Sequence, residues 1–367
     1  MTSTHRMLEY IYQSPKALKD SLADNEAKIE KLAQHVRERG IKRVVISGVG
    51  SSYTAGMIAA PLFTRYCSLP AYIVPSTELA AYQSVWMNAD TLIVAVSRSG
   101  ERGWVVDSFR TAVQNGAMGV AITGNPEGLL AQSSPEVLLS SEGPEAVFPK
   151  TKSVMAHAGL LARLALAMAD PLDSTVSILL QALKKMPQTV TDILQTCDPQ
   201  VQALVPALFQ QKAMMLSGTL GNYGVALEGS LKMQEASGLV VLGNETGNML
   251  HGPWGTVTSD WLVTLLVTEY DQALAETNIH LANQIGAKSL AIVESGLSLK
   301  ASPNYIITLP CRVERFLSGL AYLPPVQLLT YYWALAGGLD PDAPANVDVV
   351  LDAMLPEGRQ EPEMRNK

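Results

Sequence analysis

The chain has 367 residues, of which 47% are hydrophobic and 17% are charged, and its formal net charge at pH 7 is −7. This composition excludes a disordered chain, because it allows a large buried core, and the length suggests two domains. The negative net charge argues against a surface that binds nucleic acid.

Several other kinds of site have little support in the sequence. The three cysteines are far apart without a CxxC pair, and the five histidines do not cluster, so we expect reduced thiols and no metal or other cofactor. The longest apolar run is interrupted by Arg163 and is shorter than the ~18 residues that a membrane span needs. The first ten residues are too polar for a signal peptide, which predicts a cytoplasmic protein that does not bind membranes.

Residues 1–40 are predicted to form a helical segment, with an apolar stripe that ends at Gly40. Strand and helix patterns then alternate through a first domain at 41–185. Its strands are predicted near residues 43–47, 71–74, 91–96, 118–123 and 136–139. Ser76 is a candidate N-cap for the short helix after the second strand. Continuous apolar strands that alternate with helices predict a parallel sheet covered on both faces.

A second domain, predicted at 198–350, repeats the first. Residues 42–60 and 212–230 both contain a basic residue, an apolar strand, Ser-Gly, a short polar loop, a tyrosine and a helix, at an offset of 170 residues. The strands of this domain are predicted near residues 213–217, 261–267, 289–293 and 305–309. A mostly helical segment joins the halves, and a tail follows at 351–367. A repeat this long predicts an α/β protein with two tandem doubly wound parallel-sheet domains.

Two loops of the first domain follow predicted strands: SGVGSSY at 47–53 and SRSGE at 97–101. In such sheets, ligands bind beyond the carboxyl ends of the strands, where the strand order reverses. Glycines let the backbone approach an anion, a helix N-terminus supplies N–H donors, and serine hydroxyls add more donors. A tetrahedral phosphate needs many convergent donors, so the two loops predict a phosphate site.

Each loop has a simpler interpretation when it is considered alone. The first loop is only a partial dinucleotide fingerprint, because it lacks the third glycine. Ser52 is equally well explained as a helix N-cap, and Ser97 and Ser99 as turn residues. The occurrence of both loops at adjacent strand ends favours phosphate. The corresponding loop of the second domain carries Glu269 and Asp271, which would repel phosphate, so we expect one site per chain.

Glu228, Lys232 and Glu235 lie at i, i+4 and i+7 and share one face of a predicted helix. By itself, this pattern is explained by a solvated face with one Glu–Lys pair, worth a few tenths of a kcal/mol. His251 stands downstream among glycines and a proline, where a lone histidine is usually a loop or core residue. A carboxylate and a histidine near a phosphate pocket are also the groups that transfer protons, which predicts acid–base chemistry.

The order of motifs resembles that of the sugar isomerase (SIS) domain proteins, whose domains are flavodoxin-like. The segments that carry the resemblance are MLEYIYQSP, GVGSSYTAG, SRSGE, PKTKS, ALEGSLKMQE, LHGP and DPDAPANV. The pattern is most similar to the isomerase part of glutamine–fructose-6-phosphate aminotransferase and to the fructosamine-6-phosphate deglycases. We expect no amidotransferase activity, because the sequence contains no glutaminase half.

The resemblance implies a role for each residue that matches a motif. It implies contacts with the substrate and its phosphate from Gly50, Ser51, Ser52, Ser97, Arg98, Ser99, Arg102, Thr151, Lys152 and Ser153. It implies that Glu228 and Lys232 line or brace the site. Glu235 matches the carboxylate that moves a proton between sugar C1 and C2, and His251 matches the histidine assigned to ring opening. Relatives take that histidine from the neighbouring subunit, so the resemblance also implies a homodimer or larger assembly with a shared site.

The chain departs from the aminotransferase pattern at several positions of the site. Arg98 and Arg102 stand where the aminotransferase has a glutamine and a threonine, and Asn248 stands where it has a glutamate. In the C-terminal region, Ala345 and Val349 stand where it has an arginine and a lysine. We therefore expect that this chain does not make glucosamine 6-phosphate.

Two classes of function remain open from the sequence. The first is a cofactor-free enzyme that acts on an open-chain sugar phosphate, by aldose–ketose isomerisation or by deglycation of a fructosamine phosphate, with Glu235 as general base. The missing C-terminal groups favour deglycation. The second is a non-catalytic sensor of sugar phosphates that regulates a partner. The pair of Glu235 and His251 favours the enzyme, because a sensor does not need it.

Overall fold

Two parallel β-sheets of five strands each form the framework of the molecule. The computed structural model describes residues 5–101 and 103–354. The strands of the first sheet are β1 (Arg43–Gly48), β2 (Ala71–Pro75), β3 (Thr91–Val96), β4 (Met118–Thr123) and β5 (Glu136–Leu139). The strands of the second sheet are β6 (Ala213–Gly218), β7 (Val240–Glu245), β8 (Trp261–Val267), β9 (Lys288–Val293) and β10 (Tyr305–Thr308).

The helices lie between and around these strands. In the first half they are α1 (Arg6–Glu38), α2 (Ser51–Tyr66), α3 (Ser76–Trp86), α4 (Gly103–Gln114), α5 (Leu129–Ser133) and α6 (Lys152–Met168). In the second half they are α7 (Ser174–Leu208), α8 (Gly221–Ser237), α9 (Gln272–Ile285), α10 (Ser318–Ala336) and α11 (Val347–Met354). Among the described residues, none of these helices is both long enough and apolar enough to traverse a bilayer.

The two sheets have the same topology. The strand orders are β2-β1-β3-β4-β5 and β10-β9-β8-β6-β7, and every strand pairing is parallel. Strands β3, β4 and β6 are buried along their whole length, as strands covered by helices on both faces must be. This arrangement confirms the predicted fold class of two tandem doubly wound domains.

The two domains meet through their first crossover helices, α2 and α8, at glycines that allow backbone contact. A Cβ atom on Gly224 of α8 would lie 2.5 Å from the backbone nitrogen of Ile58 in α2, and one on Gly221 would lie 2.9 Å from the Ile58 carbonyl oxygen. Only a residue without a side chain fits at such separations. The close crossing holds the face of α8 that carries Glu228 against the start of α2.

Strand β7 is not among the predicted strands. It lies at the edge of the second sheet, and Val240 and Leu242 are 60% and 38% exposed. An edge strand lacks the continuous apolar run that predicts a buried central strand, and the glycines within and beside it weaken the strand pattern.

The predicted helix start at Ser76 also needs correction. Helix α3 begins at Ser76 itself, after Pro75, and no side chain caps it. The Ser76 hydroxyl instead forms a 2.9 Å hydrogen bond with the Ser47 hydroxyl at the end of β1. Helix α7 runs without a break between the two predicted domain ranges, whose bounds remain predictions. Most of the predicted tail lies outside the described residues.

Candidate functional site

The first predicted phosphate loop is a tight turn between β1 and α2. Gly50 has φ 53° and ψ −129°, in the left-handed region that favours glycine. Helix α2 therefore starts at Ser51, and Ser52 is its second residue and not its N-cap. Both serines are half-buried. The turn sets a helix N-terminus at the carboxyl edge of the sheet, which favours an anion there.

The second predicted phosphate loop follows β3, the neighbour of β1. The pairing of Ser47 with Ala95 sets the ends of β1 and β3 side by side, at the point where the strand order reverses. The Ser97 hydroxyl accepts a hydrogen bond from the Gly100 N–H at 3.2 Å, and Gly100 has a φ of 64°. The structure thus brings the serines of both loops to one edge of the first sheet.

Arg98 of this loop turns its side chain toward the protein interior. Its Nε atom lies 4.0 Å from Oε1 of Glu142, whose side chain is 1% exposed. The Arg98 carbonyl oxygen accepts hydrogen bonds from Thr123 and Gly124 at the end of β4, both at 3.1 Å. These contacts anchor the SRSGE loop to the end of β4 and to Glu142. Arg102, the other predicted arginine, lies outside the described residues.

The predicted binding residues Thr151, Lys152 and Ser153 form the N-terminus of α6 and are at most 2% exposed. Their donors point to the fully buried carboxylate of Glu145, which accepts from the Thr151 N–H at 2.7 Å, the Lys152 N–H at 3.0 Å and the Ser153 hydroxyl at 2.6 Å. Burial opposes ionisation of Glu145, but the charge of Lys150 and these hydrogen bonds outweigh it and lower the pKa of Glu145.

The Lys152 side chain points away from this carboxylate, toward helix α1. Its Nζ atom donates to the side-chain oxygen of Gln13 at 2.7 Å and lies 4.5 Å from the centre of the Tyr10 ring. The three residues of the PKTKS segment therefore use their polar groups on protein partners. This geometry shows how the three residues are held within the protein, and their contact with the substrate stays a prediction.

A cluster of charges on α8 connects the second domain to the first loop. Ser51 and Thr54 of α2 donate to the two carboxylate oxygens of Glu228, at 3.0 and 2.5 Å. Lys232 Nζ lies 3.7 Å from Glu228 and donates a hydrogen bond to Glu235. The helix face is therefore not solvated, and it forms one continuous polar chain from the first turn of α2 to Glu235.

Burial and charge act in opposite directions on this cluster. Burial raises the pKa of Glu235, the charge and hydrogen bond of Lys232 lower it, and Glu228 raises it, with a net upward shift. Burial lowers the pKa of Lys232, but Glu235 and Glu228 outweigh it and raise that pKa. Glu235 retains 16% side-chain exposure, and Lys232 retains 1%. The cluster thus presents one accessible carboxylate backed by a buried ammonium group.

His251 lies in the segment that follows strand β7. It follows the short 3-10 turn Asn248–Leu250 and is exposed. Its backbone N–H donates to the Asn248 carbonyl at 3.0 Å. Among the described residues, no hydrogen bond joins His251 to Glu235.

The corresponding edge of the second sheet has different chemistry. Asp271 is buried and accepts hydrogen bonds from the N–H and hydroxyl of Thr268, at 2.9 and 2.7 Å, while Glu269 is exposed. Two carboxylates at this edge disfavour an anion. Within the described ranges, 5–101 and 103–354, no three His, Cys, Asp or Glu side chains are grouped as metal ligands.

Three residues of the site are absent from the sequence-based prediction. Thr54 lies one helical turn after Ser51, so the GSSYT motif itself contained the signal for a second donor on that face. Glu142 and Glu145 lie in the segment between β5 and α6, where no periodic pattern indicates which partner a carboxylate meets.

Comparisons with known proteins identify the same architecture. The SIS domain family model matches residues 23–169 and 207–336. The chain is 26% identical over 346 residues to glutamine–fructose-6-phosphate aminotransferase [isomerizing] of Aquifex aeolicus, and the match covers 94% of this chain and 57% of that protein. The chain thus spans little more than half the length of this curated relative.

Solved structures share the fold over nearly the whole chain. The C-terminal domain of glucosamine-fructose-6-phosphate aminotransferase from Francisella tularensis has a TM-score of 0.82 at 22% identity, covering 94% of this chain and 99% of that one. Tagatose-6-phosphate ketose/aldose isomerase from Escherichia coli has a TM-score of 0.78 at 23% identity, covering 98% of each chain. The family model matches well over half of the residues, with one segment in each half, and the chain therefore belongs to the SIS domain family.

Proposed function

We propose that the chain is an enzyme that binds an open-chain sugar phosphate and moves a proton between its C1 and C2 carbons. The observation that carries the proposal is the polar chain from Ser51 through Glu228 and Lys232 to Glu235. It ties a candidate base to the first turn of the helix that follows a candidate phosphate loop. A sugar phosphate has the same two features, an anion and a reactive carbonyl, separated by a short carbon chain.

The phosphate is assigned to the first domain. Ser52, Ser97 and Ser99 supply hydroxyl donors, and the turn at Gly50 exposes the N-terminus of α2. The likeness to proteins named as acting on 6-phosphates of sugars supports this assignment.

Glu235 is assigned as the general base in either of two reactions. In isomerisation, it takes the C2 proton of an aldose phosphate and returns it to C1, which converts the aldose to a ketose. In deglycation, it takes a C1 proton of a fructosamine phosphate and returns a proton to C2, which leaves a Schiff base at C1. Water then hydrolyses the Schiff base to an aldose phosphate and a free amine. Lys232 stabilises the ionised form of Glu235 in both reactions.

His251 is assigned to ring opening, from a second copy of the chain. Its exposure in the single chain supports a role across an interface. The absence of the aminotransferase's lysine and arginine at positions 349 and 345 favours deglycation over isomerisation.

A turnover screen in D₂O tests the proposal. Phosphorylated fructosamines and hexose 6-phosphates are incubated with the protein, and products are identified by mass spectrometry. Deglycation releases a free amine and isomerisation interconverts aldose and ketose, and each incorporates deuterium at C1 or C2. The same screen with Glu235→Gln, purified identically, controls for contaminating enzymes. Binding of a sugar phosphate with neither turnover nor deuterium incorporation would favour the sensor, and failure of every compound to bind would refute the phosphate site.

A further inference from the structure

A buried carboxylate, Glu142, lies directly behind the SRSGE loop. Its side chain is 1% exposed, and Gly124 makes room for it, since a Cβ atom on Gly124 would lie 2.2 Å from Glu142 Oε1. Its other oxygen, Oε2, has no hydrogen-bond partner among the described residues. A buried carboxylate with so few donors depends on a neighbouring positive charge to remain ionised.

The cation in contact with Glu142 is Arg98, whose Nε atom lies 4.0 Å away. Among residues 5–101 and 103–354, the other titratable groups that face this region give no compensation. Glu145 is negative and raises the pKa of Glu142, and burial lowers the pKa of His157 to about 4, so this histidine is neutral at physiological pH. The Ser140 hydroxyl, whose hydrogen bond lowers the pKa of Glu142, also lies within hydrogen-bond distance of His157 Nε2, at 3.1 Å.

Arg98 belongs to the phosphate loop and to this buried pair at once. A dianion bound at the loop would draw the guanidinium toward itself and would shield its charge from Glu142. A buried carboxylate that loses its counter-charge is costly, and protonation removes that cost.

We infer that Glu142 is a positioning residue that competes with the bound phosphate for Arg98 and takes up a proton when the phosphate binds. The inference rests on the phosphate site proposed above. It assigns to the loop a second function, in which a proton accompanies the phosphate into the site.

The proton uptake by Glu142 is expected in a pH range in which binding can be measured. Burial raises the pKa of Glu142 to about 7, against the opposing effects of the Ser140 hydrogen bond and the Arg98 charge. Weakening of the Arg98 contact raises the pKa further, so the ligand binds better to the protonated form. Affinity is therefore greatest below this pKa and is lost as the pH rises through it.

Sulfate is the probe for the test, because it is a tetrahedral dianion whose charge does not change between pH 6 and pH 8. For the wild-type protein, we expect the sulfate Kd from calorimetry to rise about five- to tenfold over this range. Glu142→Gln imitates the protonated carboxyl, so its Kd should be independent of pH and, at pH 8, lower than that of the wild type. Glu101→Gln is the matched control, because it removes an exposed carboxylate from the same loop and should keep the wild-type pH dependence.

A second measurement does not depend on any variant. Calorimetry at pH 7 in two buffers with different ionisation enthalpies reports the number of protons taken up by the wild-type protein on binding sulfate, and we expect a fraction of a proton. No uptake, a flat wild-type Kd, or a Glu142→Gln protein that is folded but binds sulfate more weakly would each overturn the inference. Glucose 6-phosphate at pH 6, where the affinity is expected to be greatest, separates the two proposals: if neither it nor sulfate binds there, the phosphate site itself is wrong.

Discussion

Glu235 differs from the other members of its charge cluster in its access to ligand. It keeps 16% side-chain exposure, whereas Glu228 and Lys232 keep 0% and 1%. Both carboxylate oxygens of Glu228 accept hydrogen bonds, from Ser51 and Thr54, so this carboxylate links the two domains. Glu235 is thus the carboxylate of this helix face that remains available for proton transfer.

Replacement of Glu235 by glutamine keeps the shape of the side chain and removes the base. We expect turnover to fall by about 10²–10⁴, the usual effect of losing a general base, while the Kd for the sugar phosphate changes little. The base must be ionised to act, and the pKa of Glu235 is raised above 4.5. Wild-type kcat/KM should therefore fall as the pH is lowered, with a midpoint above pH 4.5. The measurements are turnover, Kd and a pH profile, with Glu235→Asp as the variant that keeps a carboxylate. A parallel loss of affinity and rate would mean that Glu235 holds the ligand and does not transfer the proton.

At the scale of elements, the duplication preserves the backbone geometry of the turn before the first crossover helix. Gly50 has φ 53° and ψ −129°, and Leu220, at the corresponding position before α8, has φ 56° and ψ −127°. A leucine in this region is strained, typically by about 1–3 kcal/mol. The second domain retains the turn geometry because α8 must start where its face meets α2.

Gly50→Ala isolates the conformational cost of this turn. The added Cβ atom would meet only Leu231 Cδ2, at 3.9 Å, which is ordinary contact. Any loss therefore comes from the backbone, and we expect the free energy of unfolding to fall by about 1–3 kcal/mol in chemical denaturation. Gly255→Ala is the control, since nothing lies within 4 Å of its Cβ position and its φ is ordinary. Equal stability changes in the two variants would contradict the assignment of strain to the turn.

The same elements show what could be predicted from the sequence. Central strands such as β3 and β4 were predicted because burial on both faces demands a continuous apolar run. The serine loops were predicted because their place after parallel strands follows from that pattern. Edge strand β7 was not predicted, because its exposed side chains interrupt the apolar pattern. The partners of Glu142 and Glu145 were not predicted either, because only tertiary contacts determine them.

At the scale of the whole molecule, the proposal expects two copies of the chain to share the site. His251 is exposed, and the nearby edge strand β7 presents Val240 and Leu242 to solvent. Both features fit burial against a second copy, and obligate interfaces of this kind usually bury at least ~2,000 Å². A sedimentation experiment that finds a monomer at micromolar concentration would remove the shared-site proposal.

A mixing experiment tests whether the two copies share their residues. Glu235→Gln and His251→Ala homodimers each lack a required group in every site, so both should be nearly inactive. In a mixed dimer that is symmetric apart from these changes, one of the two sites combines an intact Glu235 with an intact His251 from the other chain. Random exchange of subunits at equal amounts should therefore restore about a quarter of wild-type activity. If both groups came from one chain, no mixed dimer would contain a complete site, and activity would stay at the level of the separate variants even when sedimentation and mass spectrometry show that subunits have exchanged.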